Sequence, residues 1–236
     1  MPHLKQELHQ EIELKYRFPD APTFQRVKEA AMNLSLAQDF LLLEQNNYFF
    51  DTSNFILRAN SLAIRLRHEN KHFILCIKGN NPSVTKNKKN MSIKLEYENI
   101  ISENIALQLL EEKCSPLDCL LAQPTTNDAI KRRTREFLCS QITTLTLNKP
   151  LRMIGSFTNQ RTCIPVLIGA EEFLIEMDKT RFSSEFIHYE LELEIPADHH
   201  YQNTEKFLLG LFQKANADFF PSNGKAERFY QFLTSQ

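Results

Sequence analysis

Several short segments of this chain place full charges two residues apart. Glu11, Glu13 and Lys15 alternate with Ile12, Leu14 and Tyr16. Arg65 and Arg67 alternate with Ile64 and Leu66, and Lys78 closes a run whose other positions hold Phe73, Leu75 and Ile77. Lys94, Glu96 and Glu98 alternate with Ile93, Leu95 and Tyr97. Glu176 and Asp178 alternate with Ile175 and Met177, and Glu190, Glu192 and Glu194 with Tyr189, Leu191, Leu193 and Ile195. In a β-strand, side chains two apart share a face. A single strand of this kind is unremarkable, because an antiparallel sheet commonly turns a polar face to water. Taken together the faces are unusual. They carry charges rather than Ser, Thr or Gln, and like charges two residues apart repel by ~0.5–1 kcal/mol in water. Cations relieve that repulsion at the acidic faces and a polyanion relieves it at the basic ones. Carboxylate oxygens suit the hard ions Mg²⁺ and Mn²⁺. Arginine and lysine suit phosphate oxygens, arginine with a bidentate fork.

The elements that must position these charges can be read from the same pattern. Strands are expected at Gln10–Phe18, Gln38–Asp51, Ala63–Glu69, His72–Lys78 and Met91–Ile101, and again between Met153 and Ile195. Pro19–Pro22 stops the first strand, and Thr23 is the expected cap of a helix carrying Phe24, Val27, Ala31 and Leu34. Asp51–Asn54 reads as a turn, His68–Lys71 as a hairpin connection and Gly79–Asn90 as a polar loop. Further helices are expected at Ser102–Lys113, with Ser102 as cap, at Asn127–Gln141, at Tyr201–Ala215 and after Lys225; Ser115–Thr126 reads as a connection and Pro221–Gly224 as a loop. No repeat, low-complexity tract or long linker divides the chain, so one α+β domain over residues 1–236 is predicted. The charge pattern suggests a barrel of inverted polarity, with apolar faces outward beneath helices and charged faces lining a hydrated tunnel.

Composition narrows the possibilities. The 236 residues are 42% hydrophobic and 24% charged, enough for a packed core. Lys+Arg is 28 and Asp+Glu is 29, so the net charge of −1 gives no global field for nucleic acid or an anionic membrane. The aromatic residues fall mostly on apolar faces and offer no base-stacking platform. Cys76, Cys114, Cys119, Cys139 and Cys163 form no C-x-x-C pair and read as reduced thiols of a cytoplasmic protein. The polar Met1–Gln10 segment lacks the apolar core of a signal peptide. Phe40–Leu43 and Cys119–Ala122 fall far short of the ~20 apolar residues of a membrane span. The five glycines build neither G-x-G-x-x-G nor a P-loop. His3, His9, His68, His72, His188, His199 and His200 show no metal spacing, and His199–His200 and the Lys86–Lys89 cluster read as solvated.

Glu11-Ile-Glu13-Leu-Lys15 resembles the ExExK signature of the CYTH, or triphosphate tunnel metalloenzyme, superfamily. Further segments resemble that family in its own order: Tyr48-Phe49-Phe50-Asp51-Thr52, Leu62-Ala-Ile-Arg65-Leu-Arg67, Ile77-Lys78, Lys94-Leu-Glu96-Tyr-Glu98, Arg161, Met177-Asp178, Glu190-Leu-Glu192-Leu-Glu194 and Ser222-Asn-Gly-Lys225-Ala-Glu-Arg228. Lys94 stands where an arginine is usual, Ser61 where a turn glycine is common, and two residues separate Ser222 from Lys225. The resemblance implies an antiparallel, eight-stranded, tunnel-like β-barrel with a charged interior and helices packed outside. It implies Mg²⁺ or Mn²⁺ as cofactor and a small-molecule triphosphate as substrate, and says nothing of oligomeric state. The residues it assigns to metal are Glu11, Glu13, Glu190 and Glu192. A phosphate clamp of Lys15, Arg65, Arg67, Lys78, Lys94 and Arg161 follows, with Lys225 at one mouth. Glu11, Glu13, Lys15, Lys78 and Arg161 are the catalytic set. Glu96, Glu98, Asp178 and Glu194 are left for a second metal, a positioned water or a buttress. Members include inorganic, thiamine and RNA triphosphatases and class IV adenylate cyclases. Hydrolysis of inorganic tripolyphosphate to pyrophosphate and phosphate is the favoured expectation, with the cyclase, the thiamine triphosphatase and a non-catalytic polyphosphate-binding module as alternatives.

Overall fold

A computed structural model describes residues 8–35, 37, 39–82, 90–122, 127–147, 149–196 and 200–235. The Lys86–Lys89 cluster, His3 and His199 lie outside the described residues. The elements run β1 (Gln10–Phe18), α1 (Ala21–Met32), β2 (Leu41–Asp51), α2 (Ile56–Ala59), β3 (Ala63–Glu69), β4 (His72–Asn80) and β5 (Met91–Ile101). They continue with α3 (Glu103–Leu110), α4 (Pro116–Ala122), α5 (Ala129–Thr146), β6 (Arg152–Ile168), β7 (Glu171–Arg181), β8 (Ile187–Glu194), α6 (Tyr201–Lys214), β9 (Phe220–Pro221) and α7 (Lys225–Thr234). The strand order is β5-β4-β3-β2-β6-β7-β8-β1, and a further pairing of β5 with β1 closes these eight strands into an antiparallel barrel. The two-residue β9 adds to β1 at Tyr16 and Arg17.

The chain forms two compact units, the first from residues 1–10, 47–83 and 94–156 and the second from 11–46, 84–93 and 157–236. In the first, Ile64 and Leu66 of β3, Leu75 and Ile77 of β4 and Leu95 and Tyr97 of β5 bury their side chains with Leu57, Ala106, Leu109, Leu120, Leu138 and Ile142 of α2 to α5. In the second, Ile12, Leu14 and Tyr16 of β1, Ile175 and Met177 of β7 and Leu191 and Leu193 of β8 pack on Phe24, Val27 and Ala31 of α1 and Leu208, Leu211 and Phe212 of α6. Within each unit the apolar strand faces therefore lie beneath helices, as the inverted polarity predicts.

Local chemistry explains the departures from the expected boundaries. Asp20, not Thr23, caps α1: its carboxylate accepts from the Thr23 N–H at 2.8 Å, and Pro22 sits in the first turn, where a missing N–H costs nothing. β4 runs on to Asn80 because Gly79 and Asn80 still pair with Leu95 and Lys94. The expected connection over 115–126 contains α4, which begins at Pro116 behind Ser115, whose Oγ accepts from the Leu117 N–H at 3.2 Å. The short α2 carried no periodic signal. It is held by Asp51, fully buried, whose carboxylate accepts from the N–H groups of Leu57 and Arg58 at 2.9 and 3.0 Å. Thr52 Oγ1 accepts from the Ile56 N–H at 3.0 Å. The Tyr48–Thr52 segment thus ends a strand and caps a helix with the same residues.

Candidate functional site

In the second unit, strand register aligns the charges into rungs. Lys15 of β1 lies across from Glu192 of β8, which lies across from Glu176 of β7. Arg17 lies across from Glu190, Glu190 from Asp178, and Asp178 from Arg161 of β6. Directly opposed residues share a face, so the strands deliver these side chains to one place. Arg161 reaches three carboxylates: Glu176 at 2.5 Å, Asp178 at 2.7 Å and Glu192 at 2.9 Å. Its grip on Asp178 is bidentate, with Nε donating at 2.9 Å and Nη2 at 2.7 Å. Lys15 meets Glu192 at 2.8 Å and pairs with Glu13. Lys225, the first residue of α7, places its ammonium 2.7 Å from both Asp178 and Glu192 and also against Glu190. Arg228, one helical turn on, pairs with Glu190 and donates to Ser222 Oγ.

The setting is dry. Asp178 and Glu190 are fully buried, and Glu192 and Arg228 are only 4% exposed. Burial alone would raise the Asp178 carboxyl, but Arg161 and Lys225 outweigh it and hold the group down to about 2. Glu192 follows the same logic: burial pushes up, and Lys15, Lys225 and Arg161 hold it well below the usual range. Glu176 behaves otherwise. Burial pushes it up to about 7, and although Arg161 opposes the rise, Asp178 and Glu192 add to it. In these ion pairs five carboxyl groups (Glu13, Glu176, Asp178, Glu190, Glu192) meet four cations (Lys15, Arg161, Lys225, Arg228), so carboxyl groups outnumber the cations that they pair with. Glu176, Asp178 and Glu192 each bring an oxygen within 4.8 Å of the others. An all-oxygen donor set of this spacing can bind a metal, and its chemistry fits a hard divalent ion.

The first unit carries its own cluster. Lys78 of β4 opposes Glu96 of β5 and meets it at 2.7 Å. Arg65 lies 4.0 Å from Glu96, and Arg67 lies 3.3 Å from Glu98 and 3.5 Å from Glu69. Cys76 stands between Arg65 and Glu98 in the register and donates its thiol to Glu96 at 2.9 Å. Cys76, Glu96 and Glu98 also approach within ligand spacing. Burial raises the Cys76 thiol well above its usual range, and Glu96 adds to the rise.

The structure thus brings Glu13, Lys15, Arg161, Asp178, Glu190, Glu192 and Lys225 together in one cluster, and Arg65, Arg67, Lys78, Glu96 and Glu98 in another. Glu11 is half-buried near the start of β1, and Glu194 is exposed at the end of β8. Lys94 of β5, half-buried, donates to Asn80 at the end of β4 at 2.5 Å. Three participants were named in the sequence reading but given no role in the site. Glu176 was visible on the face of Asp178 but had no role. Arg228 lies three residues after Lys225, the spacing that puts two helical side chains on one face. Cys76 was read only as a thiol, although it alternates with Leu75 and Ile77 on the same face as Lys78.

Among solved structures, HpAC1 from Hippeastrum superposes with a TM-score of 0.72 at 22% identity, covering 94% of this chain and 96% of that one; it is described as a candidate adenylyl cyclase with a dominant triphosphatase activity. A candidate adenylate cyclase from Bacillus halodurans gives 0.58 at 22% identity over 94% and 98% of the two chains. The PH1819 protein of Pyrococcus horikoshii OT3 gives 0.53 at 15% identity over 96% and 99%. No curated protein matches the chain by sequence. At these identities the likenesses establish the fold. The family assignment has its own support, because the CYTH domain pattern matches residues 9–230, nearly the whole barrel and its helices, and the chain is therefore a member of the CYTH family.

Proposed function

We propose that this protein hydrolyses a triphosphate with the help of Mg²⁺ or Mn²⁺, and that inorganic tripolyphosphate is its substrate, cleaved to pyrophosphate and phosphate. The observation that carries the reading is the buried cluster around Arg161. Burying ion pairs costs several kcal/mol per ion, commonly ~1–4 kcal/mol more than apolar packing of the same volume would. A cluster this large, with carboxyl groups in excess, is poor architecture for stability and good architecture for a cation and a polyanion.

Roles follow from sign and reach. Asp178, Glu190 and Glu192, with Glu13, Glu11 and Glu176 beside them in the same unit, would hold the metal. A bound divalent ion supplies Lewis-acid charge that neutralises phosphate oxygens and orients water. Arg161 and Lys15 already sit among carboxylates, so they can exchange a carboxylate oxygen for a phosphate oxygen without moving far. Arg65, Arg67 and Lys78 are proposed as phosphate ligands of the first unit, with Lys94 at its edge. Glu96 and Glu98 hold those cations extended, and Glu194 completes the acidic face of β8. Most of the attraction so supplied falls on the phosphates, and none of these groups reads a base or a sugar. The dominant triphosphatase activity named for HpAC1 points the same way.

The test is release of phosphate from tripolyphosphate, ATP and thiamine triphosphate, with either metal and with EDTA. Tripolyphosphate should show the highest kcat/KM, and EDTA should abolish turnover reversibly. Cyclic AMP as the main product from ATP would replace the hydrolase with a cyclase. Tight tripolyphosphate binding without turnover would reduce the protein to a polyphosphate-binding module.

A further inference from the structure

Away from both charged clusters, two thiols meet at the junction of α3 and α4. Cys114 Sγ and Cys119 Sγ lie 3.3 Å apart, one thiol donating to the other. This closeness is built into the backbone. At the end of α3, Glu112 adopts the left-handed conformation with φ 55°. The Glu112 N–H returns to the Leu109 carbonyl at 3.1 Å and the Lys113 N–H to the Gln108 carbonyl at 2.8 Å, closing the helix end. On the far side, the Cys119 N–H bonds the Ser115 carbonyl at 3.0 Å, in the first turn of α4. Cys119 is 9% exposed within the first unit's core, and Cys114 packs against that core half-buried. Both sulfurs are therefore held, one is reachable from solvent, and neither serves the charged clusters.

We propose that Cys114 and Cys119 form a reversible thiol–disulfide centre, oxidised by a low-molecular-weight disulfide such as glutathione disulfide. The sulfurs need to close from 3.3 Å to a bond of ~2.05 Å, which side-chain rotation can supply. Cys114, the more exposed, attacks as thiolate: its sulfur bonds to one glutathione sulfur, the glutathione S–S bond breaks, and one glutathione leaves as thiolate. Cys119 then loses its proton and attacks the Cys114 sulfur, expelling the second glutathione. The two protein thiols are oxidised to a disulfide, one glutathione disulfide is reduced to two thiols, and the two released protons end on the glutathiones. Burial pushes the Cys119 thiol up to about 12, with the Cys114 hydrogen bond adding to the shift, so the first attack falls to Cys114 and Cys119 reacts only with the sulfur already beside it.

The reduced full-length protein is incubated with glutathione disulfide, blocked with iodoacetamide and digested with trypsin. Cleavage after Lys113 and Lys131 gives one peptide that holds Cys114 and Cys119 and no other cysteine. That peptide should lose both alkylation sites and weigh two hydrogens less than its reduced form, and dithiothreitol should restore both sites. Cys76, Cys139 and Cys163, each 5% exposed or less, should stay reduced and take up iodoacetamide once the chain is unfolded. In Cys119→Ser the reaction should stop with glutathione on Cys114. In Cys114→Ser, changed only at the half-buried position, the peptide should take up no glutathione. A wild-type peptide that keeps both thiols open to iodoacetamide, or that ends with glutathione on Cys114, overturns the proposal.

Discussion

Lys225 holds its ammonium against Asp178, Glu190 and Glu192, a place where a divalent ion would be equally at home. Lys225→Met removes that charge and keeps the length of the side chain. Without metal the variant should lose ~3–5 kcal/mol, the usual cost of orphaning buried charge. Added Mn²⁺ should raise its Tm more than it raises that of the wild type. Melting with EDTA and with Mn²⁺ checks this, and an equal rise in both proteins would mean that Lys225 and the metal do not share carboxylates. His188 gives a residue-scale test of pH. Burial, then Arg228 and Arg17, lower its imidazole to about 4, among the rings of Phe182 and Phe186. Unfolded, the group binds a proton near 6.5, so the unfolded chain takes up more protons between pH 6.5 and 4 and stability falls as the pH drops through that window. His188→Gln should flatten that part of the stability–pH curve; parallel curves would place the acid sensitivity elsewhere. Most of the charged positions were legible because alternation fixes a strand's face. Glu176 and Arg228 were not, because their roles depend on which strand and which helix end arrive opposite them, and that is a matter of register and docking.

The strands of β1, β3, β4 and β5 were legible to within a residue or two, since one face of each is apolar and a slip of one residue would turn it to the wrong side. Helices fared less evenly. α4 is seven residues long, below the length at which a period shows, and α2 exists because Asp51 and Thr52 supply its first hydrogen bonds. Gly79 shows how tightly an element can dock. A Cβ there would meet Leu138 of α5 at 2.7 Å and Leu62, just ahead of β3, at 2.8 Å. Gly79→Ala should therefore cost ~1–3 kcal/mol by overpacking. Urea denaturation measures it; unchanged stability would show that the two leucine tips swing aside freely.

At the scale of the molecule, the sequence showed one uninterrupted pattern, while the contacts define two units with separate apolar cores. No linker separates them: β2, β5 and β6 each begin in one unit and end in the other. We expect the chain to behave as one domain, because melting either unit would fray strands that the other uses. Calorimetry should give a single transition with equal calorimetric and van't Hoff enthalpies; two resolved transitions would divide the domain. The separate cores were not legible, because both are built from the same residue types at the same period, and only the strand order tells them apart. Among the described residues no helix is long and apolar enough to cross a membrane. One further consequence follows from α7. With the Lys225 ammonium seated among its carboxylates, the acidic cluster has a counter-charge of its own before any ion arrives. On the proposed metal-dependent function, folding would not wait for metal supply, and a newly made chain would mature first and be loaded later. Metal scarcity would then silence the protein without sending it to degradation.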